Sequence, residues 1–262
     1  MKTHLSPFAA ASLALVISAG PAVAAKGPMA TTVTVGGINM IHQVYLPDEG
    51  GKHPVVVVLP EWWGNNDYSK GRAKQLADMG YVAVAADLYG DGRTTEDPKE
   101  AGKLAGDAKK DRAGLRARAL SALDAAKARP EADGAKAGVV GYCFGGNVAL
   151  DLARQGADIK AAVSLHGSMD FVDSPKAGGV KAKVLVLHGG ADPMVANDAV
   201  NGFVADMKIA KADVELITYP AAEHAFSNPG ADDHKIPGVK YDKSADEKSF
   251  AAMKAFFDKT LK

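Results

Sequence analysis

The chain has 262 residues, with 31 basic and 31 acidic side chains and no net formal charge. It carries no dense Lys/Arg patch interleaved with aromatics, so nucleic acid is not expected as a partner. One cysteine rules out an intrachain disulfide, and the length suits one large α/β domain with a substantial core.

At the N-terminus Lys2 and His4 precede an apolar stretch over residues 8–19, a Gly20-Pro21 break and the small-x-small pattern Ala22-Val23-Ala24. That layout predicts a secretory signal peptide over residues 1–24, cleaved after Ala24, and a single mature domain over residues 25–262. The apolar stretch is too short for a membrane span and no other run approaches spanning length, so an exported protein, periplasmic or secreted and free of the membrane after cleavage, is expected. An unpaired thiol in an oxidising compartment hints that the sulfur is used.

Residues 33–35 and 40–46 flank Gly36-Gly37 and read as an opening antiparallel hairpin. Beyond it come short, mostly continuous apolar runs at residues 55–59, 81–85, 137–140, 161–165, 184–187 and 214–217. Continuous rather than alternating hydrophobicity suits strands covered on both faces, as in parallel sheets. Helical patterns fall between them, over residues 68–79, 111–129, 145–154, 197–209 and 245–259. In the second of these Leu115, Ala119, Ala122 and Ala126 share one face. Residues 98–110, rich in Gly, Lys and Ala, carry no decisive signal. The alternation predicts a mostly parallel central sheet with helices on both faces.

The cysteine lies in Gly141-Tyr142-Cys143-Phe144-Gly145-Gly146, directly after an apolar run. A strand ending in Gly-x-nucleophile-x-Gly and passing into a helix reads as a nucleophile elbow, with cysteine in serine's usual place. The helix that follows offers the positive end of its dipole and free N–H groups beside the sulfur. A buried apolar cysteine in a glycine-rich turn is the plainer reading of the same residues. Partners in the order nucleophile, acid, base tip the balance. Asp192 follows the strand at 184–187, and His224 follows the strand at 214–217. Asp198 is the alternative acid, further from its strand end. Of the seven histidines, His166 and His188 also follow strands and could line the cleft, but His224 alone of these follows the acid. After the strand at 55–59, Pro60-Glu61-Trp62-Trp63-Gly64 is placed to give a second oxyanion donor, the Trp62 N–H beside that of Phe144, with Trp62 and Trp63 as cleft walls or core packing. Glu61 is costly to bury there without a partner.

Through Pro60-Glu61-Trp62-Trp63-Gly64, Asp87-Leu88-Tyr89-Gly90, the Cys143 elbow, Gly190-Ala191-Asp192 and Glu223-His224-Ala225-Phe226, the chain resembles the dienelactone hydrolase family of α/β-hydrolases. The resemblance implies Cys143 as nucleophile, His224 as base, Asp192 as its orienter, and Glu61 as a carboxylate that contacts the resting cysteine until substrate enters. It also offers Trp63, Tyr89, Arg93 and Phe226 as substrate-binding residues. Family members that act on dienelactone hold its carboxylate with two arginines, one soon after the Asp-Leu-Tyr segment and one a few residues past the catalytic histidine. Here Gly90-Asp91-Gly92 intervenes before Arg93, and residues 225–228 contain no arginine. The expectation is therefore a monomeric hydrolase of small esters or lactones that needs no cofactor or metal. A cysteine peptidase and a catalytically silent binding protein are its rivals.

Overall fold

The computed structural model describes residues 28–262 apart from 173 and 176, so the leader expected over residues 1–24 lies outside the described residues. The strands are β1 (Met29–Val35), β2 (Ile38–Tyr45), β3 (His53–Leu59), β4 (Val82–Ala85), β5 (Ala132–Tyr142), β6 (Ala161–Leu165), β7 (Lys183–Gly189) and β8 (Val214–Tyr219). They form one eight-stranded sheet in the order β1-β2-β4-β3-β5-β6-β7-β8. β1 pairs antiparallel with β2 and β2 with β4, whereas every other neighbouring pair is parallel. Gly36 and Gly37 turn the β1–β2 hairpin at φ of 57° and 82°, the left-handed backbone that a two-residue hairpin requires.

The apolar runs are continuous because both faces of the sheet are covered. Along β3, Val55, Val57 and Leu59 enter one core while Val56 and Val58 enter the other. The first core is closed by α2 (Pro98–Lys110), α3 (Arg112–Lys127), α4 (Phe144–Arg154) and α5 (Asn197–Ile209), through residues such as Ala105, Leu115, Val148 and Phe203. The second is closed by α1 (Asp67–Asp78) and α6 (Lys243–Leu261), through Leu76, Met253 and Phe257. The expected face of α3, with Leu115, Ala119, Ala122 and Ala126, is buried in the first core.

The undecided segment at 98–110 is the helix α2. Asp97 caps it by accepting a hydrogen bond from the Lys99 N–H, Pro98 occupies its first turn, and Ala101, Ala105 and Ala108 make its buried face. Gly102 and Gly106 inside it lower its intrinsic helix preference, which is why the Gly-, Lys- and Ala-rich composition carries no decisive signal. Among the described residues no helix is long and apolar enough to cross a membrane.

The topology sets the site. β3, β5, β7 and β8 run parallel, so the segments leaving their carboxyl ends, which carry Glu61, Cys143, Asp192 and His224, gather on one rim of the sheet.

Candidate active site

β5 ends at Tyr142 and α4 starts at Phe144, leaving Cys143 alone in the turn with φ 51° and ψ −112°. Such a conformation costs a non-glycine residue about 1–3 kcal/mol and persists where its surroundings fix it. The flanking glycines make the turn feasible: a β-carbon at Gly141 would collide with the Gly145 carbonyl, and one at Gly145 with the carbonyl of Leu59. The Gly145 N–H donates to the Pro60 carbonyl at 2.9 Å, which ties the elbow to the loop after β3.

The half-buried sulfur faces His224. His224 Nε2 lies 3.1 Å from Cys143 Sγ, and His224 Nδ1 lies 2.8 Å from Asp192 Oδ2. The other carboxylate oxygen of Asp192 accepts the N–H groups of Met194 and Val195 at 2.7 and 3.1 Å, which fixes the acid's orientation. Burial opposes charging of His224, but Cys143 and Asp192 outweigh it and push the imidazole pKa up to about 10. The loop that carries His224 is clamped from behind, with His224 N–H donating to the Gly238 carbonyl at 3.0 Å and the Lys240 N–H returning to the His224 carbonyl at 3.0 Å. Asp198, the alternative acid, is exposed in the first turn of α5.

The amides of Trp62 and Phe144, the expected oxyanion donors, have no hydrogen-bond partner among the described residues. Tyr89 holds the first of these loops, because its hydroxyl donates to the Trp62 carbonyl at 2.8 Å and its ring stacks on Phe144 at 5.8 Å. Tyr89 is in turn positioned by Asp87. That wholly buried carboxylate accepts the N–H groups of Tyr89, Gly90, Ile41 and Gly92 at 2.8–3.0 Å, which accounts for the Asp87-Leu88-Tyr89-Gly90 motif. Trp62 is half-buried against the first core. Trp63 is nearly buried, stacks on His234 at 3.9 Å, and with Asn66, Thr94, Thr95, Glu96 and His234 lines a side cavity of about 370 Å³ that no triad residue reaches.

Glu61 is buried and its Oε2 accepts the Asn228 Nδ2 hydrogen at 2.7 Å, while Asn228 Oδ1 accepts from the Gly230 N–H at 2.9 Å. Because the Gly230 N–H can only donate, the amide orientation of Asn228 is fixed, with its NH₂ toward Glu61. Burial raises the Glu61 carboxyl from the usual 4.5 to about 7, with Asn228, His224 and Arg72 pulling the other way. The contact that the resemblance implied between Glu61 and the resting thiol is absent among the described residues, since Cys143 Sγ is engaged by His224 and Glu61 by Asn228.

Trp63, expected to bind substrate, faces the side cavity rather than the sulfur, and two further expected substrate contacts are corrected or relocated. Phe226 has no exposed surface and packs edge-to-face on His166 at 5.1 Å, so it supports the site from within the second core rather than lining it. Arg93 is exposed on the loop that crosses Gly64, and its side chain makes no hydrogen bond or ion pair among the described residues. His188 is buried beside the rim and bonds Asn197 at 3.0 Å. His166 is buried too and does not line a cleft. Its Nδ1 takes the Cys143 N–H at 3.1 Å and its Nε2 meets Ser227 Oγ at 2.8 Å. Only the strand-end position of His166 marked it in the sequence, and nothing marked Ser227. Among the described residues no group of three or more His, Cys, Asp or Glu is arranged to hold a metal ion.

A strained elbow after β5, an acid after β7 and a histidine after β8 on a mostly parallel sheet define an α/β-hydrolase. The dienelactone hydrolase family model matches residues 42–261, and the chain belongs to that family of hydrolases. A crystal structure described as a dienelactone hydrolase-like promiscuous phosphotriesterase from metagenomic libraries superposes with a TM-score of 0.84 at 36% identity, covering 90% of this chain and 100% of the other. Among curated proteins, one from Yersinia pestis named "Putative carboxymethylenebutenolidase" is 30% identical over 212 residues, 75% of this chain and 78% of the relative. A protein of the same name from Methylorubrum extorquens is 31% identical over 196 residues, 69% of this chain and 66% of the relative.

Proposed function

We propose that this hydrolase cleaves small, neutral carboxylic esters or lactones by covalent catalysis at Cys143. The observation that carries the reading is the relay from sulfur to Nε2 at 3.1 Å and from Nδ1 to Asp192 at 2.8 Å. With the proton on His224, the Cys143 thiolate attacks the substrate carbonyl carbon, forming a C–S bond and placing the negative charge on the carbonyl oxygen between the Trp62 and Phe144 amides. As the tetrahedral adduct collapses, the C–O bond to the leaving group breaks and His224 Nε2 hands its proton to the departing alkoxide, leaving a thioester. Neutral Nε2 then takes a proton from water, whose oxygen attacks the thioester carbonyl. Collapse expels the thiolate and releases the acid, and the imidazolium is restored beside the sulfur. Asp192 holds the Nδ1 proton throughout.

The preference for neutral substrates follows from the Glu61–Asn228 pair. The position that brings an amide to the buried carboxyl brings no cation, and Arg93 is exposed on its loop. The relationship to a promiscuous phosphotriesterase supports including a neutral phosphotriester among the substrates.

The test is a panel of short acyl esters, a neutral lactone, dienelactone and a phosphotriester, assayed with wild type and Cys143→Ala. Wild type is expected to turn over neutral esters or lactones at least as well as dienelactone, and the alanine variant to lose about 10³-fold or more in kcat. Full activity in Cys143→Ala would remove the sulfur from the mechanism. A hundredfold preference for the anion, worth about 2.7 kcal/mol of transition-state binding, would overturn the neutral pocket.

A further inference from the structure

We propose that His166 is the positioning residue of the thiol: as a neutral imidazole protonated at Nε2 it joins the backbone of Cys143 to the loop that carries His224, so one hydrogen-bonded bridge sets both nucleophile and base. This rests on the reading of Cys143 as the nucleophile. The polarity of the bridge is fixed at its ends. At one end the Cys143 N–H can only donate, and it is shared between the Leu165 carbonyl at 3.0 Å and His166 Nδ1 at 3.1 Å. At the other end the Ser227 carbonyl can only accept, and it takes the Tyr68 hydroxyl at 3.1 Å and an Arg72 Nη2 hydrogen at 2.6 Å. Between them His166 Nε2 lies 2.8 Å from Ser227 Oγ, and Ser227 Oγ lies 2.8 Å from the Tyr68 oxygen. One arrangement satisfies every link: Nε2–H donates to Ser227 Oγ, the Ser227 hydroxyl donates to Tyr68, and Tyr68 donates to the Ser227 carbonyl. It requires an unprotonated Nδ1, since a second proton on His166 would point at the Cys143 N–H.

The surroundings enforce that state. His166 is wholly desolvated, and of the groups that bear on it His224, Arg72 and His188 oppose a further proton while a backbone hydrogen bond alone favours one; the Tyr142 ring lies 6.2 Å away and Tyr68 reaches it through the Ser227 hydroxyl. Its pKa is held well below the ordinary value, first by burial. Its ring stands edge-to-face with that of His224 at 5.3 Å, so a neutral His166 can sit beside the imidazolium that His224 becomes. Ser227 is on the same loop as His224, and Arg72 anchors that loop to the buried Asp246, whose second oxygen accepts from Tyr241 at 3.2 Å. A shift of either end of the bridge changes the distance between Sγ and Nε2, on which proton transfer depends.

The test compares kcat and KM of wild type, His166→Asn, His166→Phe and Ser227→Ala on one activated neutral ester, with the rate at which an alkylating reagent labels the sole cysteine. Nitrogen-15 spectra of the wild-type histidines complete it. Asparagine keeps an acceptor near the Nδ1 position and phenylalanine keeps only the packing. His166→Phe is expected to lose about 100-fold in kcat with KM within about twofold, and His166→Asn to recover to within about fivefold of wild type. Ser227→Ala is expected to fall about tenfold and to alter the labelling rate in the same direction as His166→Phe. The wild-type spectrum is expected to show His166 as the Nε2–H tautomer with no titration between about pH 6 and 9. Equal losses in the asparagine and phenylalanine variants, an unchanged Ser227→Ala, an Nδ1–H tautomer, or a titration in that range would each overturn the proposal. If His166→Phe fails to fold, Ser227→Ala and the spectra decide the matter. Activity surviving in Cys143→Ala would instead strike the nucleophile reading, and the tautomer and labelling results would still stand.

Discussion

Glu61 shows how one residue's environment changes its chemistry. Its carboxyl titrates near 7 when buried and near 4.5 when free. Between those values the unfolded chain has released a proton that the folded chain keeps, so the stability this group allows is full below about pH 4.5 and falls as pH rises toward 7. The full penalty is on the order of 3 kcal/mol. Glu61→Gln retains an acceptor for Asn228 and removes the charge. Its melting temperature is expected to match wild type near pH 5 and to exceed it by several degrees at pH 8, and an equal gap at both pH values would show that Glu61 does not carry the shift. The sequence marked Glu61 because a carboxylate directly after a buried strand needs a partner, but it could not identify that partner as Asn228, 167 residues away. Phe226 failed for the opposite reason: nearness to His224 along the chain says nothing about which way a side chain points, and this one turns into the second core.

At the level of elements, the parts read correctly from sequence are those whose signal is local. Six apolar runs became six strands, those of β3 to β7 buried on both faces and that of the edge strand β8 half-buried, and the elbow was visible because its glycines answer a steric demand at fixed spacing. Gly145→Ala would drive a methyl group into the Leu59 carbonyl. It is expected to destabilise the fold by about 1–3 kcal/mol in urea unfolding and to abolish ester hydrolysis. A variant with wild-type activity would mean that the turn is more compliant than its geometry implies. The helix α2 is masked in the sequence by two interior glycines, Gly102 and Gly106, and its start is fixed by its cap. Asp97→Ala should cost about 1 kcal/mol of stability, read as a lower urea midpoint at unchanged slope. His166 and Ser227 were invisible as a pair, since their link joins the ends of non-adjacent strands.

For the whole molecule, the leader expected over residues 1–24 predicts that material recovered from the periplasm of a Gram-negative host begins at Ala25, and the separately expected monomer should elute in gel filtration as one chain. Sequencing that returned Met1, or elution at twice the chain's mass, would overturn one or the other expectation. The hydrogen-bonded relay proposed as the catalytic triad is assembled from far apart: Asp192 and His224 are separated by 32 residues and Cys143 and His224 by 81. Between Cys143 and His224, β6, β7 and β8 must each be laid down in parallel register, every one through a crossover. Such non-local pairings form late, because the loop-closure entropy must be met before the contacts that reward it. A refolding chain should therefore regain its helical signal well before its turnover, and a half-assembled molecule would be silent rather than weakly active.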